Sequence, residues 1–422
     1  MYDLVRFLPL ILTFGFFPIA ACACRRLLRP SRQAFALAVV GVTLLPPLCV
    51  LAAGEGMRLY DLSRFIAVAV PVIVTYPLLF MIHWILVRQW GAREGAFGIA
   101  PILFPIAVLG IAKYTPGHWG EIYGGMRFTE LYLGLSYVAF RLSLLAVEVR
   151  NRTVPPPSLS EYLGFTFLTS TLAVGPISRY SLFRTSLIEP IRADVAKSAV
   201  RFVKGATKYL VLANLANQLT YAGLLKDGHP HASLDVVIAI TSYYYYLYLN
   251  FSGYCDMVIA TASWCGIEIE ENFDSPLTAR NLQEFWRRWH MTLGNVMRDL
   301  LFSPLSKYLA GQLGGKNIQH AVALSIFCVF LVIGVWHGFG WNFVLFGAVH
   351  GAGVVIVHYY TQLLKRGLGR PGYQRYMSSS TIKFFAIVIT QSFAAISLML
   401  FANPLPEVGH LLRAVISGPY VP

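Results

Sequence analysis

The sequence predicts an all-α polytopic membrane protein, and three observations carry that expectation. Hydrophobic residues make up 56% of the 422-residue chain and charged residues 13%, with a mean hydropathy of +0.59; an ordinary soluble domain is roughly 25% charged. Apolar runs of about 20 residues, the length a helix needs to cross about 30 Å of hydrocarbon, recur along the chain. Basic residues gather in alternate connecting loops, as the positive-inside rule requires. No polar stretch is long enough for a soluble domain. The expectation is therefore a single membrane-embedded domain over 1–422, with N-terminal spans in 1–150, a core in 160–360, and a basic loop and last span in 361–422.

The net charge of +14 does not point to nucleic acid, because the cations sit in short loops where anchoring to the inner leaflet explains them. Six cysteines (Cys22, Cys24, Cys49, Cys255, Cys265, Cys328) lie within or beside apolar runs without the paired spacing of a zinc site, so they read as small buried hydrophobes and no metal is expected. The first apolar run ends in Ala-Ala-Cys-Ala-Cys and is followed directly by arginines. A cleavable signal carries its positive charge in front, so this run reads as a retained span with its N-terminus outside.

Spans are expected near 5–24, 34–53, 65–87, 96–113 and 130–147, with loops 25–33, 88–95 and 148–160 cytoplasmic. The triple proline at 155–157 makes a stiff loop. The apolar stretch 162–183 is broken by Gly175-Pro176, so it is either a re-entrant hairpin or a tilted span. A basic approach leads into a run ending near Leu225, then a turn-rich loop whose His229 and His231 read as solvated. The run 234–265 carries four consecutive tyrosines, some of which must face an interior, and the polar Asn250, Ser252 and Asp256; Asp256 is read equally as a functional group and as a packing hydrogen bond. Ile318–Trp336 and Asn342–Tyr360 make a helical pair, Lys365–Lys383 a cytoplasmic loop, and 382–402 a last span that takes the C-terminus outside. The total is about eleven spans with one or two re-entrant pieces.

Chemistry concentrates at two Trp-His clusters. Read as a helix from about Arg280, the stretch Glu271–Asp299 places Trp286, Trp289 and His290 on one face, with Arg287 and Arg288 turned away. The second cluster is Trp336-His337-Gly338, followed by His350-Gly351. Burial among tryptophans disfavours an imidazolium and keeps a neutral imidazole that can take a proton, so either histidine can be a general base or a helix-to-helix hydrogen bond. Gly334 and Gly338 permit close helix packing or approach of a substrate. Arg287 and Arg288 read either as a phosphate or carrier contact or as snorkelling cations. His83, His118, His320, His358 and His410 carry no pattern that assigns them a role.

The motifs Phe251-Ser252-Gly253-Tyr254-Cys255-Asp256-Met257, Glu271-Asn272-Phe273-Asp274-Ser275-Pro276, Glu284-Phe285-Trp286-Arg287-Arg288-Trp289-His290-Met291-Thr292-Leu293 with Arg298-Asp299, Trp336-His337-Gly338 and His350-Gly351 resemble the membrane-bound O-acyltransferase (MBOAT) family. Weaker matches upstream are Gly134-Leu135-Ser136-Tyr137 with Phe140-Arg141, and Gly175-Pro176-Ile177-Ser178-Arg179-Tyr180. The nearest branch contains the teichoic-acid D-alanyl transfer protein DltB and the alginate O-acetylation protein AlgI. The resemblance implies helices ringed around a central funnel in a bacterial cytoplasmic membrane. A thioester donor, either a 4'-phosphopantetheine carrier protein or acetyl-CoA, would arrive from the cytoplasm. The acceptor hydroxyl would belong to an extracytoplasmic polymer or relay protein, and no tightly bound cofactor is implied.

By the same resemblance His337 is the principal catalytic histidine and His290 the second. Trp286, Trp289, Trp336, Arg298 and Asp299 would shape the tunnel, with Asn250, Asp256 and His350 in support. Gly294-Asn295-Val296-Met297-Arg298-Asp299-Leu300 lacks the serine and tyrosine of the branch's Ser-x-x-x-Arg-Asp-Tyr pattern, which puts the donor site in question. Gly314-Gly315-Lys316-Asn317 is similar to the acetylation proteins and Ser136-Tyr137-x-x-Phe140-Arg141 to the D-alanylation proteins, with a slight lean to the latter. The alternative class is a transporter or flippase, which the breaks at Gly175-Pro176 and Ser275-Pro276 would also suit.

Overall fold

The computed structural model describes residues 11–28, 30–52, 77–114, 134–172, 174–192, 194–226, 229–314, 317–338 and 340–420. Among these the chain is all-helical, without strands, and its β-pairing is limited to isolated bridges. Among the described residues four helices are long and apolar enough to cross a membrane: Gly95–Tyr114, Ile318–His337, Trp341–Ser378 and Ser380–Ala402. Two shorter apolar helices cover Thr13–Cys24 and Arg32–Leu44. The all-α membrane class thus holds, whereas the described residues supply fewer spans than about eleven. Parts of the expected spans at 5–24, 65–87 and 130–147 lie outside the described residues.

The chain forms two compact units, one of residues 1–204 with 254–270 and one of 205–253 with 271–422. The first contains α1 (Phe17–Leu27), α2 (Pro30–Ala52), α3 (77–90), α4 (Gly95–Tyr114), α5 (Leu135–Arg150), α6 (Leu159–Thr166), α7 (Tyr180–Ile188) and most of α8 (Val195–Ala206). The stretch 162–183 is not one span: the short α6 and α7 flank a turn and an extended Gly175-Pro176 segment. A capping box of Ser158 and Glu161 starts α6. The Glu148 carboxylate accepts the backbone N–H groups of Tyr180 and Ser181 at 3.0 and 3.3 Å, so a side chain from α5 satisfies the free donors at the start of α7.

Buried polar groups in this unit are held in pairs. The His83 ring takes the Tyr162 hydroxyl at 2.9 Å on Nδ1 and gives Nε2–H to the Pro101 carbonyl at 3.0 Å. The Arg141 guanidinium lies against the Phe165 ring and donates to Thr171 and to the Phe165 carbonyl. Asp256 is clasped by both Nε and a terminal nitrogen of Arg201, at 3.0 and 2.9 Å. This is an interhelical bond of the kind the packing reading describes.

The second unit holds α9 (Ala213–Gln218), the first two thirds of α10 (Ser233–Trp264), α11 (Leu282–Arg288), α12 (Met291–Met297), α13 (Ser303–Leu313), α14 (Ile318–His337), α15 (Trp341–Ser378), α16 (Ser380–Ala402) and α17 (Leu405–Ser417). Its core joins Ala239 and Tyr244 of α10 to Phe285, Trp289, Phe346 and Leu398. The tyrosine run divides as its crowding requires: Tyr244 is buried and donates to Gln391 at 2.6 Å, while Tyr245 is exposed. At the α14–α15 contact a Cβ on Gly334 would lie 2.3 Å from the Phe343 carbonyl, so glycine there allows the two backbones to meet.

Two expectations change in this unit, and a further helix follows the last expected span. Lys365–Lys383 is helical except at Gly369, whose φ of 61° suits glycine, ahead of Pro371, and at Ser379, the extended residue between α15 and α16. The Tyr360 and Tyr376 hydroxyls bond across the break at Gly369 at 2.9 Å, and Lys365 sits over the Tyr373 ring. His231 is buried rather than solvated, paired through its backbone with Tyr420 and 3.7 Å from Asp235. The chain after 402 turns into α17, which is amphipathic and too short for the span criterion.

Candidate active site

The expected helix from Arg280 through His290 breaks before the histidine. Asn281 caps α11 through Glu284 N–H, and α11 ends at Arg288; Trp289 is extended and His290 is left-handed at φ 48°, ψ 51°. The cause is a second strand-like segment: Asp274 N–H donates to the Arg288 carbonyl at 2.9 Å and Met291 N–H to the Asn272 carbonyl at 3.0 Å. These bonds replace the helical ones. A non-glycine residue in this region costs about 1–2 kcal/mol, which marks His290 as held against its preference.

The break separates the three residues expected on one face. Trp289 turns into the aromatic core, stacked on Phe285 at 5.4 Å and packed against Tyr244, Tyr248 and Phe273. Trp286 and His290 remain together on the wall of a cavity of 520 Å³. Arg287 and Arg298 line the same cavity, Arg298 paired with Asp299 at 2.9 Å, and Phe330 and Ile333 of α14 form its apolar side. Arg288 does not line it, because its guanidinium is taken up by Glu284 at 2.7 Å and Thr278 at 2.8 Å.

His290 is 6% exposed and its Nδ1 lies 3.0 Å from Asn272 Oδ1. The same Asn272 atom receives the backbone N–H of Thr292 at 3.2 Å and its hydroxyl at 2.8 Å. A backbone N–H can only donate, so that atom is the amide oxygen and His290 must present Nδ1–H to it. The neutral ring therefore carries its lone pair on Nε2. The Phe251 ring closes on the imidazole edge-to-face at 4.8 Å.

His337 ends α14, where Trp336 packs at 4.5 Å and Phe401 of α16 edge-on at 4.8 Å. A Cβ on the following Gly338 would lie 2.2 Å from the Phe343 ring, so this glycine serves close packing. His350 is buried behind Trp286: Trp286 Nε1–H donates to Nδ1 at 3.2 Å, Nε2–H then donates to Ser397 Oγ at 2.8 Å, and Ser397 to the Ala394 carbonyl at 3.0 Å. His350 thus positions a tryptophan of the cavity wall. Asn250 is half-buried one residue before Phe251, and Asp256 belongs to the other unit.

Residues 39–399 match the membrane-bound O-acyltransferase family. The chain belongs to that family. It is a membrane protein and an O-acyltransferase enzyme. The chain is 26% identical over 288 residues to a teichoic acid D-alanyltransferase of Streptococcus thermophilus, covering 66% of this chain and 69% of the relative. It is 31% identical over 219 residues to a peptidoglycan O-acetyltransferase of Helicobacter pylori, covering 50% of this chain and 40% of the relative. With the probable alginate O-acetylase AlgI of Pseudomonas aeruginosa it shares 27% identity over 302 residues, covering 65% and 54% respectively. The chain thus spans roughly half the length of these two acetylation proteins. The transporter alternative gains no support from these relatives.

Asn272, Thr292, Phe251 and Ser397 shape the MBOAT site without having been singled out from sequence. The first three stand inside the quoted motifs, which was their only signal. Ser397 lies in an apolar run and carries none.

Proposed function

We propose that this enzyme moves an acyl group across a bacterial cytoplasmic membrane, from a thioester on the cytoplasmic side to a hydroxyl of an extracytoplasmic polymer or acyl-accepting relay protein. Both termini lie outside. The donor enters the cavity on which Arg287, Arg298, Trp286 and His290 converge, with Arg287 meeting an anionic part of the donor or its carrier. His337 is the general base. Its neutral imidazole takes the acceptor's O–H proton as the oxygen attacks the thioester carbonyl. The tetrahedral intermediate collapses, the C–S bond breaks, and the thiolate leaves with the proton from His337. The products are an ester and a free thiol. A correctly placed base contributes about 10²–10⁴-fold.

The observation that carries this reading is His290: Asn272 Oδ1 fixes its tautomer, which puts the Nε2 lone pair on a ring in the wall of the cavity that Arg287 and Arg298 also line. His290 is the second catalytic histidine. The D-alanyl donor is favoured over acetyl-CoA, since the match spans 69% of the D-alanyltransferase and 40% and 54% of the two acetylation proteins.

Acyl transfer by purified protein in liposomes tests it, with radiolabelled D-alanyl carrier protein or acetyl-CoA offered to matched acceptors. Label moves from the carrier, and His337→Ala loses at least a hundredfold in rate. Retained transfer in folded His337→Ala removes the base assignment. Movement of label from acetyl-CoA alone would make this a glycan O-acetylation enzyme.

A further inference from the structure

A second cavity in the same unit takes no part in the chemistry above. It has a volume of 580 Å³, within the roughly 300–1,000 Å³ typical of ligand sites. Its walls are α15 and α16, both long and apolar enough to cross a membrane, closed by the start of α11. Lys383 and Tyr376 flank the α15–α16 link, and the Tyr376 hydroxyl meets that of Tyr360 at 2.9 Å, whereas Ile356, Ile389 and Phe393 line the two helices further on. Arg280 enters the wall at the start of α11, where the preceding Ala279 carbonyl accepts from Gln391 at 3.4 Å. From Lys383 to Phe393 is ten residues of continuous helix, so the apolar part runs about 15 Å along α16. Its inner end is shut where Gly353 admits Leu282 and Phe393; a Cβ there would lie 2.5 and 3.2 Å from them.

No acidic side chain is among the described residues lining the cavity. The nearest carboxylate partner of Arg280 is Glu284, at 3.2 Å, and that carboxylate is shared with Arg288 at 2.7 Å. One carboxylate thus serves two guanidiniums, and Lys383 adds a further cation. A lysine and two phenols near one link offer donors to phosphate oxygens, Arg280 adds a second cation to the wall, and the apolar residues along α16 disfavour a purely polar solute.

We propose that this cavity binds an anionic phospholipid, its phosphate at Lys383 and the Tyr360–Tyr376 pair and an acyl chain laid along α16 towards Phe393. The occupant bears on Leu282 of α11, the helix that also carries Trp286. The site goes beyond the acyl-transfer reading and is tested without it.

The full chain is equilibrated in nanodiscs with equal phosphatidylglycerol and phosphatidylcholine, moved into detergent, and weighed by native mass spectrometry. The wild type retains one phosphatidylglycerol in clear preference to phosphatidylcholine. Lys383→Gln lowers that preference about fivefold, the worth of one cation near a phosphate surface. Ala386→Trp, which fills the cavity from α16, abolishes the retained lipid. Inorganic phosphate at millimolar concentration neither displaces the lipid nor raises the melting temperature. Equal retention of the two lipids by the wild type overturns the proposal, as does an undiminished preference in Lys383→Gln, which decides alone if Ala386→Trp fails to fold. Stabilisation by inorganic phosphate equal to that by the lipid also overturns it, since the site would then be a phosphate site.

Discussion

Asn272→Leu is the most informative substitution, because one oxygen serves three donors. Leucine keeps the approximate volume but offers no acceptor to His290 Nδ1–H, Thr292 N–H or the Thr292 hydroxyl, which lie at 3.0, 3.2 and 2.8 Å in the wild type. Thr292 is fully buried and His290 nearly so, leaving little room for water to substitute. Each orphaned buried donor costs about 1–3 kcal/mol, so the three together cost at least about 3 kcal/mol. The catalytic effect is separate. Without the oxygen, the His290 proton is no longer held on Nδ1, the lone pair is no longer fixed on Nε2, and the ring loses its orientation, for a loss in kcat of about 10²–10⁴-fold if His290 handles a proton. Asn272→Asp retains the accepting oxygen and is expected to keep much more of the rate than Asn272→Leu. The assay is acyl transfer in liposomes with kcat and KM resolved, beside thermal unfolding in detergent. Folded Asn272→Leu with kcat within about twofold of wild type would refute the role given to the tautomer.

The remaining predictions rest on the same geometry. His290→Gly and His290→Ala both lose transfer, but the glycine variant melts higher, by about 1 kcal/mol of stability, because φ 48° costs glycine nothing; equal melting would mean the backbone is unstrained. Arg287→Glu raises KM for the donor while leaving the fold intact, whereas Arg288→Glu chiefly destabilises, since it sets a second carboxylate against Glu284; a donor effect confined to Arg288 would reverse this assignment. Asp256→Asn lowers the unfolding temperature by weakening the clasp on Arg201 and leaves kcat unchanged in the folded fraction; a selective fall in kcat would restore a functional role to Asp256.

The spans at 96–113, 318–336 and 382–402 were legible within about two residues, because in hydrocarbon an apolar run of about 20 residues has few alternatives to a helix. The Gly175-Pro176 break was legible for the related reason that proline removes a donor. The two histidines stood out by motif, and the family match over 39–399 agrees with the resemblance those motifs carried.

Helical spacing failed at the point of greatest interest. Whether α11 continues to His290 depends on segment 272–274, which competes for the backbone bonds of 288–291, and a periodicity within one helix contains no trace of that competitor. The same holds for Lys365–Lys383, where a glycine break and basic composition resemble a loop, yet the Tyr360–Tyr376 bond closes across the break. Nor does the sequence reveal the partner of Asp256, which lies 55 residues earlier in the chain. By itself the sequence determined the membrane class, the long spans and which histidines to watch, because these follow from local composition and motif. Only the tertiary structure decided which way each ring faces, which arginine lines the cavity and which oxygen fixes the His290 proton, because those depend on atoms brought together from distant positions.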